Sequence, residues 1–375
     1  MAQKRTRILQ PGVHRGLRVL ISVFLLSLAV AGYAASELDY RYVSIAHLWI
    51  DVFQDFPDDY AEKLRPILLE IKSFGFKGVS VHTNYFLDTA SHSVFPNHDS
   101  ENAMHPWMYS PEDWMLEELL KCIRDVGLDA DLRITLLVPG DEFGRFDYSP
   151  RATGVDRFFA SYGELALRLA RILERTSGDV FTVFNELPMI EDHSERVRNL
   201  LDDVATVFGG ELLVCQNTHH LIRDFPEIYR SGDLARYEAY SGDYWNWQSS
   251  DGRALIIAYN WWPDSPPIAY SANLETMTQE IVDKWGNMVA YHRTTYPGHL
   301  IVFGEVGIYN EGTERMANSW QAYLSAMERM DVDGFAIWSI QIDHWAWHGE
   351  PGPVTHGQSE ISGEPVISAI TPFLD

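Results

Sequence analysis

From about residue 40 onward, short blocks of nearly unbroken apolar residues alternate with longer stretches whose apolar positions recur every three or four residues. The short blocks predict strands over 42–48, 78–82, 130–138, 180–185, 211–216, 254–259, 300–304 and 334–339. They are rich in Val, Ile and Phe and apolar nearly throughout, as expected of strands covered on both faces. The longer stretches predict helices over 60–74, 111–126, 155–175, 195–207, 274–293 and 315–330. Ser110-Pro111-Glu112-Asp113 reads as a helix start, with a capping hydroxyl, a proline in the first turn and acids facing the positive end of the dipole. Eight strands separated mostly by helices predict an α/β fold, a single (β/α)8 TIM barrel. A doubly wound open sheet would carry a glycine-rich phosphate turn after its first strand, and residues 47–53 hold none. No repeat or low-complexity tract interrupts the pattern, and the proline-rich stretch 261–270 reads as a long loop.

The N-terminus follows a different pattern. Lys4, Arg5, Arg7, Arg15 and Arg18 precede a short apolar run, Val19 to Ala31, and Gly32-Tyr33-Ala34 offers small residues for cleavage. This is the pattern of a secretory signal peptide over 1–34, too short for a span of about 20 residues; a retained signal anchor is the alternative. The expected product is a secreted or periplasmic catalytic domain over 35–375, with no other membrane segment. The formal net charge of −24 argues against nucleic acid or anionic lipid as partner, because phosphates are repelled. Only Cys122 and Cys215 are present, and two buried thiols are expected in preference to a disulfide.

Two apolar strands end in glutamate: Val180-Phe181-Thr182-Val183-Phe184-Asn185-Glu186 and Leu300-Ile301-Val302-Phe303-Gly304-Glu305. A carboxylate at the tip of a buried strand is costly unless something uses or compensates it. In a barrel the C-terminal strand ends form the active face, and the fourth and seventh strands lie across its mouth from each other. Two carboxyls meeting there suit glycoside hydrolysis, in which one donates a proton and the other attacks or activates water. The bland alternative for each is a helix cap or an arginine partner. The 12 Trp, many of them in Gly/Pro/Asp-rich stretches, suit stacking on sugar rings.

Asn185-Glu186 resembles the Asn-Glu pair of the clan A retaining β-glycosidases, and within that clan the chain is most similar to glycoside hydrolase family 113, mainly endo-β-1,4-mannanases. Supporting segments are Tyr109-Ser110-Pro111-Glu112-Asp113, Phe158-Phe159-Ala160-Ser161-Tyr162, Phe208-Gly209-Gly210-Glu211, Phe303-Gly304-Glu305-Val306-Gly307, Gln321-Ala322-Tyr323 and Phe335-Ala336-Ile337-Trp338. The chain departs from the family over Leu136–Glu142, at Asn185-Glu186-Leu187 and at Tyr309-Asn310. The resemblance implies Glu186 as acid/base and Glu305 as nucleophile in a double displacement. It further implies Asn185 on the sugar 2-hydroxyl, Tyr259 donating to Glu305, and Trp338 as the floor under the reacting sugar.

Weaker candidates for sugar contacts are Trp261, Trp262, Trp49 and Asn84, with Tyr85, Asp88, His47, the Tyr244–Trp247 segment and Trp345-Ala346-Trp347 of similar standing. The histidines, including His82, His92, His98 and His105, form no helical or strand pair of metal-binding spacing, so neither metal nor cofactor is expected. The partner is a polysaccharide or oligosaccharide, best a β-mannan, and a monomer is expected. Alternatives are another sugar (a β-glucan, a β-mannoside or an amino-sugar polymer) or a non-catalytic carbohydrate- or protein-binding barrel.

Overall fold

Eight parallel strands close on themselves in a computed structural model that describes residues 38–46, 60–97, 110–139, 148–150, 152–217, 243–261, 273–307, 313–341 and 368–374. In chain order the elements are β1 (Tyr40–Ala46), α1 (Tyr60–Ser73), β2 (Gly78–Asp88), β3 (Ser93–Phe95), α2 (Asp113–Val126), β4 (Asp129–Leu137), α3 (Ala152–Arg175), β5 (Val180–Asn185), α4 (Ser194–Ala205), β6 (Glu211–Asn217), β7 (Ile256–Trp261), α5 (Leu274–Thr295), β8 (Ile301–Val306), α6 (Thr313–Arg329) and β9 (Gly334–Gln341). β1 pairs in parallel with both β2 and β9, which closes the ring, and β3 is a short antiparallel addition to β2. The predicted single TIM barrel is therefore the observed fold. Among the described residues no helix is long and apolar enough to cross a membrane.

The helices follow the pattern that predicted them. In α2 the buried Met115, Leu116, Leu119, Leu120, Ile123 and Val126 recur at helical spacing. The helix ends at Gly127, whose φ of 80° is the left-handed conformation that glycine adopts without penalty. The Gly127 and Leu128 amides then donate back to Arg124 and Ile123, and Lys72 Nζ of α1 donates to the Val126 carbonyl at 2.6 Å.

Three expectations need correction. Ser110 does not cap α2, whose N-cap is Glu112 without a side-chain cap bond. Its buried hydroxyl instead donates to the Asn84 carbonyl and accepts from the Asn97 amide, tying the tip of β2 to the loop that follows. β2 runs six residues beyond its predicted end at His82, so Asn84, Tyr85 and Asp88 are strand residues, because the β3 hairpin pairs with its tip. Nor is β4 apolar throughout. Asp129, Asp131, Arg133 and Thr135 alternate with Ala130, Leu132, Ile134 and Leu136, and only the second set joins the core shared with the helices. The sheet is apolar toward its helices, whereas its interior holds polar side chains.

Outside the barrel, Tyr259 of β7 meets α5. Its hydroxyl lies 2.5 Å from His292 Nε2, and its ring stacks on Trp245 at 5.9 Å. Burial, helped by the neighbouring His299, lowers the His292 pKa to about 3, and burial lowers that of His299 as well. A histidine held neutral in the fold but free to protonate when unfolded makes stability fall as pH drops through the unfolded value of about 6.5. Thermal melts should therefore move to lower temperature between pH 6.5 and 4, and His292→Gln should make that dependence shallower.

Candidate active site

Both glutamates sit at the C-terminal end of the barrel, and the backbone aims each of them. Along the β5–β6 ladder, Thr182 pairs with Leu213 while Phe184 pairs with Val214, so Val183 is an extra residue in β5. This one-residue bulge reverses the alternation. Thr182 faces inward, Val183 and Phe184 both face the apolar layer, and Asn185 faces inward again. The Val183 carbonyl accepts from the buried Tyr162 hydroxyl of α3 at 2.5 Å. β8 does the same: against β7, Phe303 pairs with Tyr259 and Glu305 with Asn260, leaving Gly304 as the extra residue. A bulge just upstream of each glutamate re-aims its side chain, a recurrent device near active sites.

Glu186 follows β5 with φ at 54°, and its amide donates to the Cys215 carbonyl at 2.8 Å. For a residue that carries a Cβ such a conformation costs about 1–3 kcal/mol. Leu187 and Pro188 then open a 3-10 turn leading into α4. Both carboxyls are nearly fully buried, 4% exposed at Glu186 and 3% at Glu305.

The side chains that face Glu305 Oε1 come from three other strands. Asn185 Nδ2 donates to its Oε1 at 3.2 Å, Arg133 Nη1 lies 3.6 Å from that oxygen, and His82 Nδ1 lies 3.9 Å from it. His82 meets the half-buried Trp338 edge-on, with ring centroids 4.7 Å apart. Asn260 Nδ2 donates to Asn185 Oδ1 at 3.1 Å. Cys215 feels the charges of Glu305 and Glu186 alike; burial first, then these negative neighbours against Arg133, raises its thiol well above the ordinary range. Cys122 and Cys215 are both free and buried, as expected.

Below this layer lies a buried ion pair. Asp131 Oδ2 accepts from Arg133 Nε at 2.8 Å, Tyr40 Oη at 2.7 Å and Ser80 Oγ at 2.8 Å, while Oδ1 accepts from Thr182 Oγ1 at 2.8 Å. Arg133 also donates to the Tyr40 hydroxyl at 2.5 Å. Burial works against the Arg133 charge, but Tyr40, Asp131, Cys215 and Glu305 outweigh it and hold the guanidinium protonated. Arg133 thus presents a fixed positive charge to Glu305 from a fully buried position.

Of the predicted site residues, Glu305, Asn185 and Trp338 lie around one centre with His82, and Glu186 follows Asn185 directly. Tyr259 does not donate to Glu305 as expected: strand alternation turns it out to His292, and Asn260, the next residue, faces inward. Asn84 is buried on β2, two residues beyond His82 on the same inward-facing set. Tyr85 points the other way, where Arg168 of α3 donates to its hydroxyl at 3.1 Å. Asp88 closes a local turn by accepting from the Ala90 amide and the Ser91 hydroxyl. The Tyr244–Trp247 segment is core and not a sugar platform, since all three aromatics are buried and Trp247 Nε1 donates to Asp202 of α4. Trp261 ends β7, its backbone paired with Val306. Trp49, Trp262, His47, His98, His105, Trp345 and Trp347 lie outside the described residues. Among the described residues no cluster of His, Cys, Asp or Glu is arranged to hold a metal ion. Arg133, His82, Asn260 and Cys215 escaped the reading by apolar runs; the alternation of charged residues inside 129–135 was the signal for the first.

No protein-family model matches the chain, and no curated protein sequence matches it. Solved structures do. A GH113 β-1,4-mannanase is 16% identical, covers 90% of this chain and 99% of its own, and superposes with a TM-score of 0.59. The GH113 β-mannanase AaManA from Alicyclobacillus acidocaldarius is 13% identical over 91% of this chain and 99% of its own, with a TM-score of 0.60. A GH5_18 protein from Streptomyces cattleya, in complex with Manβ1-4GlcNAc, is 15% identical over 80% of this chain and 70% of its own, at a TM-score of 0.52. The chain shares their fold.

Two substitutions test this account. Arg133→Met leaves Asp131 buried without its cation and should cost about 3–5 kcal/mol of stability, read by urea denaturation. Tyr162→Phe strands the bulge carbonyl of Val183 and should cost about 1–3 kcal/mol by the same measurement.

Proposed function

We propose that the chain is a retaining β-glycoside hydrolase acting by double displacement, with Glu186 as acid/base and Glu305 as nucleophile. The observation that carries this reading is the setting of Glu305: a buried carboxylate facing the buried cation of Arg133 and accepting a hydrogen bond from Asn185, which directly precedes the second carboxyl. A nucleophile must be ionised and oriented before the sugar arrives, and a charge-paired, hydrogen-bonded carboxylate meets both needs. Glu186, set just beyond the end of β5 with a left-handed backbone, is the proton donor to the leaving oxygen.

In the first step Glu305 attacks the anomeric carbon as the glycosidic bond breaks and Glu186 gives its proton to the departing oxygen. In the second, Glu186 takes a proton from water, whose oxygen displaces Glu305 and restores the starting configuration. Asn185 holds the sugar 2-hydroxyl and Trp338 floors the ring, with His82 at its edge. Asn84, Trp49, Trp261 and Trp262 are proposed as further sugar contacts.

The substrate read most naturally is a β-1,4-linked mannan or a related β-mannoside. Support comes from structural neighbours that are β-mannanases and from one that holds Manβ1-4GlcNAc. The net charge of −24 suits a neutral polymer. Residues 1–34 are proposed as an export leader or anchor, with residues 35–375 as the working, monomeric barrel.

The protein without its leader should release reducing ends from β-mannan, with early NMR spectra showing the product in the configuration of the substrate. Glu305→Gln and Glu186→Gln should each lower kcat by about 10²–10⁴-fold while melting within a few degrees of wild type. Inverted product, or full activity in Glu305→Gln, would refute the assignment; failure of wild type on mannan, glucan, xylan and chitosan alike would favour a binding barrel.

A further inference from the structure

One directed chain of hydrogen bonds crosses four neighbouring strands and ends on Glu305. The Cys215 thiol of β6 donates to Asn260 Oδ1 of β7, Asn260 Nδ2 donates to Asn185 Oδ1 of β5 at 3.1 Å, and Asn185 Nδ2 donates to Glu305 Oε1 of β8 at 3.2 Å. Resting on the hydrolase reading above, we propose that Cys215 and Asn260 are positioning residues for the nucleophile, fixing which end of the Asn185 amide meets the Glu305 carboxylate.

The physical need is plain. The two ends of a primary amide are nearly the same shape, so hydrogen-bond partners alone decide which way it points. An ionised carboxylate only accepts, and an Asn185 turned the other way would set oxygen against oxygen. A protonated thiol that donates at the start of the chain leaves Asn260 to offer its NH2 to Asn185 and Asn185 to offer its own to Glu305. Burial and the surrounding carboxylates keep Cys215 in that protonated form. As a thiolate it would accept, both amides would be driven to reverse, and the nucleophile would lose its donor.

The local packing is fitted to this arrangement. Gly304, the extra residue of the β8 bulge, faces the chain: a Cβ there would lie 2.6 Å from Cys215 Sγ, 3.1 Å from Asn260 Oδ1 and 3.2 Å from Arg133 Nη1. Cys215 and Asn260 are fully buried and Asn185 is 1% exposed, so water does not compete for these bonds. Asn185 therefore has two tasks, with its NH2 committed to Glu305 before any sugar arrives.

The test compares wild type with Cys215→Ser, Cys215→Ala and Asn260→Asp in kcat/KM across pH on β-mannan, with melting temperatures alongside. Serine keeps a donor and should remain within about threefold of wild type. Alanine and aspartate break the chain and should lower kcat/KM roughly ten- to a hundredfold, the scale of a misplaced reacting group. They should also move the acidic limb to higher pH, because an ionised carboxylate that loses a donor is easier to protonate. Should Cys215→Ala fail to fold, the contrast between Asn260→Asp and Cys215→Ser decides. Folded, chain-breaking variants with the wild-type acidic limb would overturn the proposal. Inactivity of wild type on every polymer would sink the hydrolase reading instead. The chain would then be read from the Asn185 side-chain amide signals of asparagine-labelled protein, expected to shift in Cys215→Ala and to hold in Cys215→Ser; equal spectra, or equal shifts, would count against it.

Discussion

A carboxylate taken out of water at the mouth of a closed barrel needs a compensating charge, and in this protein that charge is Arg133. The requirement passes down the barrel axis. A buried guanidinium needs its own counter-ion, which is Asp131, and Asp131 needs its oxygens satisfied, which Tyr40, Ser80 and Thr182 do. Each layer is affordable only because the next one exists, since a half-satisfied buried polar network is worse than an apolar one. This explains a barrel interior that is polar where branched apolar residues usually fill it. The apolar stabilisation comes instead from the outer face of the sheet against the helices.

The two bulges connect this network to the rim. Regular alternation would send Asn185 and Glu305 outward if Thr182 and Phe303 kept their present directions, because side chains reverse at every residue of a strand. One added residue in β5 and one in β8 settle the conflict between a packed sheet and an inward-facing site. The extra residue of β5 leaves a carbonyl that Tyr162 satisfies from the helix layer, and the extra residue of β8 is a glycine that leaves room for its neighbours.

The architecture was legible from the chain because strand and helix periods are local. Eight apolar blocks and the helices between them mark the barrel, and the glutamates that end two of those blocks mark its rim. What stayed hidden depends on direction. Tyr259 and Asn260 are adjacent in one strand, and only the register of β7 against β8 decides which of them enters the barrel. Likewise the buried Tyr244–Trp247 aromatics occupy a polar, loop-like stretch whose burial depends on α4 and β7 folding over it. Arg133 lies inside a block that reads as an apolar strand, although the alternation of Asp129, Asp131, Arg133 and Thr135 marks one face of that strand as polar.

At position 186 the backbone and the proposed chemistry ask for different residues. A left-handed φ is comfortable for glycine and tolerable for asparagine, and it is uncomfortable for glutamate. Nothing in the backbone calls for a carboxyl at this position; the proposed chemistry does. A descendant barrel that had given up catalysis and kept only its capacity to hold sugar would be free to drift toward glycine or asparagine here. Among relatives of this chain, the residue at that single corner would then separate working enzymes from retired ones.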